Sequence, residues 1–398
     1  MGTKKRVVFI SEYLGKDVNS TAYYWTKILE SLSIDYDVLV ISPDSKSNVE
    51  YLKSNNFEYI LYVSSTYSKT SMFSRLWAYI KMSVCFYKAS KEKINSSDVI
   101  ISGTNSIFNM FFIARLKRKL NLPWLLFGYD IFPENLIPAG VISTNNPVYK
   151  LVSKIFTNLY SKPNDIVAVG RDMRELLIKK VSSRTRVHYI PNWAAHEEVC
   201  ITDKSHNKII NELNWKQDEI VVFQFFGNLG VLQDIYGLLE AIELSKAPNA
   251  KFLFIGSGSE AANALALIQE ADDDRIHFYG ECDMAEKDIA LNACDVAFVS
   301  LKKGMLGLAV PSKSYFSLAA DKPIIVIGDE GAELRLLVDD YPIGWGCNSG
   351  DPVALAELID DICFNKGCLL NMEPRSSLIN HFSEADSLAA INDLVTGY

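Results

Sequence analysis

Short apolar runs, rich in β-branched and aromatic residues, recur along this chain and are separated by stretches with helical spacing. Continuous apolar strands that alternate with helices are typical of parallel sheets covered on both faces. The runs form two series, which are Val7–Ser11, Asp37–Ser42, Tyr59–Ser64, Asp98–Gly103, Pro123–Asp130, Asp165–Gly170 and Val187–Asn192, and then Val221–Gly227, Lys251–Gly256, Ile276–Gly280, Val296–Leu301, Pro323–Asp329 and Ile343–Cys347. The sequence therefore predicts an α/β protein with two doubly wound domains in tandem.

A polar stretch without strand character lies between Asn192 and Trp215, and we interpret it as the interdomain connection followed by the first helix of the second domain. A length of 398 residues also suits two domains. We expect an N-terminal domain over residues 1–194, a C-terminal domain over 195–375, and a last helix over 376–398 that packs back toward the N-terminal domain. Because open parallel sheets bind ligands beyond the carboxyl ends of their strands, we expect the site in the cleft between the domains.

Two turns that suit an anion follow strands of the second series. The apolar run from Val221 leads directly into Gly227–Gly230 and then into a segment with helical character. Glycine lets the backbone turn sharply and approach a ligand, and free N–H groups at a helix start favour negative charge. The second turn, Val310–Lys313, carries a cation and is again followed by a helix. Together the two turns predict a diphosphate held between two loops.

The composition is that of a globular protein, with 48% hydrophobic and 22% charged residues. No run approaches the roughly 18 apolar residues of a membrane-spanning helix. Met1–Arg6 leads into a strand rather than into a signal peptide, so we expect a cytoplasmic protein. The seven cysteines include no CxxC pair, the five histidines show no metal-binding spacing, and Asp272–Asp274 is interpreted as a solvated turn before a strand. We therefore predict no metal site and no cofactor.

The net charge of −8 conceals a strong difference between the two halves. Residues 1–194 contain 26 Lys and Arg against 15 Asp and Glu, whereas residues 195–398 contain 14 against 33. This asymmetry predicts that the N-terminal half faces an anionic surface, although drift in solvated surface residues would produce the same counts. Met72–Lys93 and Phe111–Lys119 interleave basic with apolar residues, which favours a membrane surface over nucleic acid.

A set of short motifs, each weak alone, occurs in an order and spacing that resembles one enzyme family. The motifs are Asp130–Glu134, Ile190–Asn192, Gly227–Gly230 with Gln233–Asp234, Leu238–Ala241, Ile255–Gly258, Phe278–Gly280, Cys294–Val296, Pro311–Lys313, Ala319–Pro323 and Ile343–Trp345. The chain resembles retaining nucleotide-sugar glycosyltransferases of the GT-B fold, family 4, and in particular their O-antigen, colanic-acid and fucosaminyltransferase-like branch. The resemblance implies two Rossmann-like domains, of which the N-terminal one binds the acceptor and the C-terminal one the nucleotide sugar.

The resemblance also implies roles for particular residues. Enzymes of this kind stabilise the leaving diphosphate without a metal, so Lys313 is expected to carry the cation, with Lys302 and Lys303 as second choices. Asp130 and Glu134 are expected to orient or deprotonate the acceptor hydroxyl, beside Tyr129 and the loop from Gly15 to Ser20. The remaining residues expected at the donor are Gly227, Asn228, Leu229, Gln233, Gly256, Gly280, Glu281, Pro311, Ser312 and Glu333.

Departures from the family pattern keep alternatives open. Relatives often carry two glutamates eight positions apart before the turn at Lys322–Pro323, but this chain has Leu308 and Phe316 there, so no ribose ligand is assigned. A non-catalytic GT-B partner subunit would tolerate that loss. The segment from Gly256 to Ala261 also fits G-x-G-x-x-A, with Glu281 about 25 residues on, as in a dinucleotide-dependent oxidoreductase.

The favoured prediction is a retaining transferase that moves a sugar from a nucleotide diphosphate, preferably UDP, to a lipid-linked glycan or a growing surface polysaccharide. We expect it to act in the cytoplasm, peripherally on the inner face of the cytoplasmic membrane, and to bind no nucleic acid.

Overall fold

The structure is a computed structural model, which describes residues 4–16, 18–64, 72–104, 107–283 and 286–398, the last two segments including the whole C-terminal sheet. Over residues 72–76 only the backbone is described.

The N-terminal half forms a seven-stranded parallel sheet in the order β3-β2-β1-β4-β5-β6-β7. Its strands are β1 (Arg6–Ile10), β2 (Asp37–Pro43), β3 (Glu58–Tyr62), β4 (Val99–Gly103), β5 (Trp124–Gly128), β6 (Asp165–Ala168) and β7 (Arg186–Tyr189). The helices between them are α1 (Ser20–Asp35), α2 (Lys46–Ser54), α3 (Met72–Ser90), α4 (Asn109–Leu120), α5 (Pro147–Tyr160) and α6 (Arg171–Lys180). The strand order reverses between β1 and β4, which opens a crevice at their carboxyl ends.

The C-terminal half forms a six-stranded parallel sheet in the order β10-β9-β8-β11-β12-β13. Its strands are β8 (Val221–Phe226), β9 (Ala250–Ile255), β10 (Ile276–Gly280), β11 (Val296–Ser300), β12 (Ile324–Ile327) and β13 (Gly344–Cys347). The helices are α7 (Lys208–Glu212), α8 (Ile235–Leu244), α9 (Ala261–Ala271), α10 (Lys287–Leu291), α11 (Lys313–Ala319), α12 (Glu333–Asp340), α13 (Pro352–Phe364), α14 (Pro374–His381) and α15 (Glu384–Thr396). Here the order reverses between β8 and β11.

Each apolar run predicted from the sequence forms a strand, and the fold class is confirmed. The reason is burial on both faces: all five residues of β11 are buried, as are the first five residues of β8. A strand covered by helices on both sides has no polar face, so it reads as a continuous apolar run.

The chain crosses between the halves twice. After β7 it passes through short helical turns at His196–Glu198 and Lys204–His206 before α7 begins. At the other end, α15 packs on α1 of the N-terminal half, where Asn392 donates to Ser31 at 2.9 Å and Tyr36 and Thr396 share a 2.7 Å hydrogen bond. Within the described segments, no helix combines the length and the apolar character needed to cross a bilayer.

Candidate functional site

A pocket of about 370 Å³ lies between the two halves, and we call it the cleft pocket. Its C-terminal wall follows the carboxyl ends of β8 and β11, which are the strands on either side of the order reversal. The residues that line it are Lys16, Asn19, Ser20, Tyr23, Phe226, Gly227, Asn228, Gln233, Lys287, Leu291, Ser300, Pro311, Ser312, Lys313 and Phe316. Six of the residues predicted for the donor and the leaving group therefore meet in one place, namely Gly227, Asn228, Gln233, Pro311, Ser312 and Lys313.

Lys313 is the first residue of α11, and its ammonium has an unusual environment. The Nζ atom is buried and has no hydrogen-bond partner among the described residues, and it lies 3.4 Å from the centre of the Phe225 ring. Burial lowers the pKa of Lys313 to about 7, because the charged form loses solvation without gaining a carboxylate. Such a group in a cleft is typical of a binding or catalytic site. An anion in the pocket would supply the missing partner.

The turn after β8 differs in detail from the sequence-based prediction. The N–H of Gly227 bonds to the carbonyl of Ile255 at 2.9 Å, and the N–H of Leu229 bonds to the carbonyl of Ser257 at the same distance. The side chain of Leu229 is completely buried in the core. Neither residue can donate a main-chain hydrogen bond to a ligand, which corrects that expectation. The exposed Asn228 has no hydrogen bond within the described structure, and it is the donor that remains at this turn.

Gly227 contributes room rather than a donor. It has φ +134°, a backbone conformation that favours glycine, and a Cβ built there would lie 3.7 Å from Cδ of Lys313. The turn thus brings its backbone against the lysine stem. Gln233 secures the same turn from the far side, since its Oε1 accepts from the N–H of Gly230 at 3.1 Å.

Gly256 and Gly258 support this turn from behind. A Cβ on Gly256 would lie 1.8 Å from the carbonyl oxygen of Gly227, and one on Gly258 would lie 2.3 Å from that of Leu229. Both glycines are therefore needed so that two loops can touch. Gly256 packs against the pocket turn and does not line the cleft pocket among the described residues, so its predicted contact with a donor stays a prediction. The packing of the two loops also explains the G-x-G pattern without a dinucleotide, because the turn after β8 already occupies the space above these glycines.

Ser300 is a pocket residue that the sequence analysis missed. It is the last residue of β11, is completely buried, and its Oγ has no hydrogen-bond partner among the described residues. A buried hydroxyl without a partner is uncommon in proteins and points to a ligand or an ordered water. The only sequence signal was its position at the end of the strand beside β8.

The N-terminal wall is built by the loop before α1 and by the first turns of that helix. Gly15, with φ +96°, shapes the loop and donates its N–H to Thr26 at 2.9 Å, but it does not itself line the pocket. Asn19 caps α1 by accepting from the N–H of Ala22 at 2.8 Å. Lys16 is the cation of this wall, 3.4 Å from Glu198. Asp17, in the same predicted loop, lies outside the described residues.

An aromatic and cationic cluster closes the pocket where relatives carry a carboxylate. The ring of Phe316 packs edge-on against Tyr23 at 5.2 Å, and Nζ of Lys287 lies 3.7 Å from the centre of the same ring. Three lysines line the cleft pocket, and its lining includes no Asp or Glu among the residues that the structure describes. The electrostatic character of the pocket therefore favours an anion.

Asp130 lies between the domains but outside the lining of the cleft pocket. It forms an isolated antiparallel bridge with Ala309, and the neighbouring Ile131 donates its N–H to the carbonyl of Leu308 at 3.2 Å. The residue is exposed, yet it sits in a concave part of the surface where surrounding protein atoms desolvate the carboxyl, so the pKa of Asp130 rises to about 6. Tyr129 stacks on Phe127 at 6.2 Å and is part of the N-terminal packing.

Glu134 does not belong to this constellation. Its carboxylate pairs with Lys180, whose side chain is almost completely buried, and the same ammonium lies over the ring of Tyr160 at 5.2 Å. The ion pair joins the turn after β5 to α6 within the N-terminal half. Lys180 matches Oε1 of Glu134, whereas Oε2 is buried without a hydrogen-bond partner among the described residues; since Glu134 does not line the cleft pocket, its catalytic role stays a prediction.

Glu333 is also committed elsewhere, at a contact that we call the domain junction. Its carboxylate accepts from the main-chain N–H of Arg171 at 2.6 Å, from Nε of Arg171 at 3.1 Å and from the hydroxyl of Tyr189 at 2.7 Å. Asp172 accepts from the N–H of Gly307 at 2.8 Å. Glu333 therefore fixes one half of the protein to the other and lies outside the lining of the cleft pocket, so its predicted contact with a donor stays a prediction.

The other predicted donor residues lie outside the cleft pocket. Gly280 accepts the N–H of Gly256 at 2.7 Å, and Glu281 accepts from the hydroxyl of Ser257 at 3.1 Å. Lys302 donates its main-chain N–H to the carbonyl of Leu232 at 2.8 Å, and Lys303 is exposed. In the predicted solvated turn, Asp273 pairs with Arg275 at 2.7 Å. No group of three or more metal-ligating side chains occurs within the described segments.

Solved structures share this architecture over the whole chain. HepE from Anabaena, crystallised with UDP and glucose, matches with a TM-score of 0.74 at 12% identity, covering 99% of this chain and 100% of HepE. Sucrose-phosphate synthase from Thermosynechococcus elongatus matches with a TM-score of 0.77 at 16% identity, covering 99% of this chain and 98% of the synthase. These likenesses show the fold and confirm the predicted GT-B class.

Sequence comparison identifies the family. The family model described as "Glycosyl transferases group 1" matches residues 205–380, which include the C-terminal wall of the cleft pocket. A protein of Pseudomonas aeruginosa, "Probable glycosyltransferase WbjE", is 38% identical over 384 residues, which is 96% of this chain and 96% of that protein. The chain therefore belongs to the group 1 family of glycosyltransferases.

Proposed function

We propose that this glycosyltransferase moves a sugar from a UDP-linked donor to a lipid-linked glycan or a growing surface polysaccharide, with retention at the anomeric carbon and without a metal. The observation that carries the proposal is the ammonium of Lys313, which lies in the cleft pocket without a hydrogen-bond partner among the described residues. We infer that this ammonium binds the diphosphate of the donor.

The chemistry requires a matched cation at the leaving group. As the bond to the sugar breaks, negative charge grows on the diphosphate, and a fixed cation in a site that excludes water stabilises that charge strongly. Lys313 is held by Phe225 beneath it and by the backbone of Gly227 beside it, so it needs little reorganisation. Asn228, Ser300 and Ser312 add hydrogen-bonding groups at the same wall. Among these residues, an ammonium and neutral donors can carry the charge.

The preference for UDP rests on the structural relatives. HepE, which shares the fold over its whole length, has been crystallised with UDP and glucose. A diphosphate between the turn after β8 and Lys313 would place the transferred sugar toward the N-terminal wall, near Asn19, Ser20 and Lys16. This direction agrees with an acceptor entering from the N-terminal half.

Asp130 is the favoured group for the acceptor hydroxyl. Its pKa of about 6 leaves the carboxyl mostly ionised at neutral pH and able to accept a proton, as a group that orients or deprotonates a hydroxyl must. The lipid-linked nature of the acceptor, and a location on the inner face of the cytoplasmic membrane, are supported by the basic N-terminal half.

The direct test is the thermal stability of the protein with UDP, GDP and ADP. UDP is expected to raise the melting temperature, since a ligand that binds only the folded state stabilises it by mass action. Lys313→Met should abolish that increase, whereas Lys302→Met, which removes a lysine from the same sheet edge outside the pocket, should leave it unchanged. An equal response of both variants would remove Lys313 from the site.

Turnover separates an enzyme from a non-catalytic partner subunit. We expect hydrolysis or transfer of a UDP-sugar in the presence of EDTA, with about a hundredfold or greater loss in Lys313→Met. NMR of the product should show the anomeric configuration of the donor. Binding of UDP without turnover of any donor, across a panel of UDP-sugars and lipid-linked acceptors, would favour the partner subunit instead.

A further inference from the structure

Three consecutive helices of the N-terminal half contain no carboxylate. Helices α3, α4 and α5 carry three, four and two Lys or Arg residues and no Asp or Glu. They form one layer: Tyr87 of α3 stacks on Phe112 of α4 at 5.0 Å, and Phe111 of α4 meets Phe156 of α5 edge-on at 5.5 Å. Seven of the basic residues are exposed, namely Lys81, Lys88, Arg115, Arg118, Lys119, Lys150 and Lys154. This layer is therefore an uninterrupted cationic face.

Large apolar side chains stand exposed on the same layer. On α5, Val148, Leu151 and Ile155 recur at helical spacing with exposed fractions of 59%, 61% and 42%. Trp77 of α3 is 70% exposed and Phe111 of α4 is 38% exposed. We call these five residues the apolar rim. A group of exposed apolar side chains bordered by charge marks an interaction surface rather than a folding core.

The apolar rim lies toward the cleft edge of the sheet. In a doubly wound domain each helix runs antiparallel to the strands, so its N-terminal end lies at the carboxyl edge, where the cleft opens. Four of the five rim residues lie in the first half of their helices, α3 from Met72, α4 from Asn109 and α5 from Pro147, and Ile155 follows just past the middle of α5. Most exposed lysines and arginines of α3 and α4 follow later in the helices.

We propose that the apolar rim inserts into the acyl boundary of an anionic lipid bilayer while the surrounding lysines and arginines contact the headgroups, so that the cleft edge faces the membrane. This inference rests on the proposed function, because a cleft edge that faces the membrane would give a lipid-linked acceptor a short path into the cleft. The positive charge of this surface favours an anionic bilayer as the partner. The exposed aliphatic side chains of α5 favour contact with lipid hydrocarbon over contact with nucleic acid. The sequence analysis pointed to α3 and α4; the stripe on α5 emerges only from the structure.

Vesicle sedimentation tests this surface with the full chain. The protein should bind vesicles of phosphatidylethanolamine with phosphatidylglycerol, and bind phosphatidylcholine vesicles weakly. The double change Leu151→Ser and Ile155→Ser should weaken vesicle binding by about tenfold, because two apolar side chains that would insert into the bilayer are replaced by polar ones. Leu370→Ser serves as the matched control, since Leu370 is an 89% exposed apolar residue of the C-terminal half. Lys150→Glu with Lys154→Glu should weaken binding to anionic vesicles only.

Two results would overturn the proposal. Unchanged vesicle binding in the Leu151 and Ile155 variant would exclude insertion of the rim. A wild-type protein that is dimeric by light scattering and becomes monomeric in that variant would make this face a protein interface. Stabilisation by UDP, measured in every variant, reports on the cleft pocket separately, so failure at the membrane surface and failure of the proposed donor site are distinguishable.

Discussion

The cleft pocket and the domain junction lie at the same interdomain boundary, yet Glu333, the central charged group of the junction, and Lys313, that of the pocket, are paired in opposite ways. At the junction, Glu333 is 1% exposed, and its carboxylate has Arg171 and Tyr189 as partners. In the pocket, Lys313 and Ser300 are enclosed without partners among the described residues. A buried polar group is costly unless it is paired, so the paired carboxylate of Glu333 holds the two halves together, and we infer that the ammonium of Lys313 and the hydroxyl of Ser300 are available to a ligand.

The largest effect is expected from breaking the junction. Glu333→Gln removes the charge that Arg171 faces, and because Arg171 is partly exposed and keeps Asp340 as a partner, the expected cost is about 1–3 kcal/mol, that of weakening the hydrogen bonds of one buried carboxylate. Urea unfolding should show a lower midpoint, while Glu330→Gln, a change of an exposed neighbouring carboxylate, should show none.

The UDP affinity of Glu333→Gln tests whether the junction and the pocket are separate. If Glu333 only joins the halves, the affinity of the folded protein for UDP should change far less than its stability. A large loss of UDP affinity with unaltered urea midpoint would return Glu333 to the donor site that the sequence predicted.

The next largest effect is expected in the pocket, where the protonation of Lys313 should make UDP binding depend on pH. With a pKa of about 7, the empty lysine is largely neutral at pH 8, and a diphosphate should bind its charged form. Each pH unit above that pKa should therefore weaken binding about tenfold, with close to one proton taken up per ligand.

Calorimetry in buffers of different ionisation enthalpy measures the proton uptake on binding UDP. Lys313→Arg is the control, because a guanidinium stays charged throughout this range and any remaining uptake then belongs to the phosphate. Uptake that is equal in the two proteins would contradict the assignment. The stability of the ligand-free protein should depend on pH in the opposite direction to UDP binding. Between about pH 7 and pH 10.5 the unfolded chain keeps the proton on Lys313, whose ordinary pKa is 10.5, whereas the folded protein loses it at about 7, so the free energy of unfolding rises with pH over this range.

The sequence predicted the strands and the Lys313 turn because both are local patterns. A strand buried on both faces is a continuous apolar run, and a lysine in a turn between a strand and a helix has few other uses. By contrast, Glu333 and Glu134 could not be distinguished from ligands, since both also follow strands. The partner of Glu333 is 162 positions away and that of Glu134 is 46 positions away, so only the tertiary structure reveals that their charges are matched.

The main-chain hydrogen bonds of the turn after β8 could not be predicted from the sequence either. The glycines of the turn after β8 indicated a ligand-binding loop, but the N–H groups of Gly227 and Leu229 are used by Ile255 and Ser257 of the next loop. Ser300 was missed for the converse reason, because a serine that ends a buried strand carries no motif of its own. Its missing partner is visible only when its surroundings are known.

Ser300 gives the smallest expected effect and the strictest test of the comparison. Ser300→Ala removes a buried hydroxyl that makes no hydrogen bond to any described residue. The stability of the ligand-free protein should therefore stay within about 0.5 kcal/mol of wild type, or rise slightly, since a buried polar group is lost. Affinity for UDP should fall by roughly fivefold to tenfold, the net value of one hydrogen bond of ordinary strength. Ser317→Ala is the matched control, because Ser317 is also buried in this region but its hydroxyl already donates to the carbonyl of Lys313 at 3.1 Å. That change should lower stability and leave UDP affinity within about twofold. If instead Ser300→Ala destabilises the empty protein and leaves affinity unchanged, then Ser300 belongs with Glu333 among the structural groups, and an absent partner would no longer identify the ligand-binding side of the boundary.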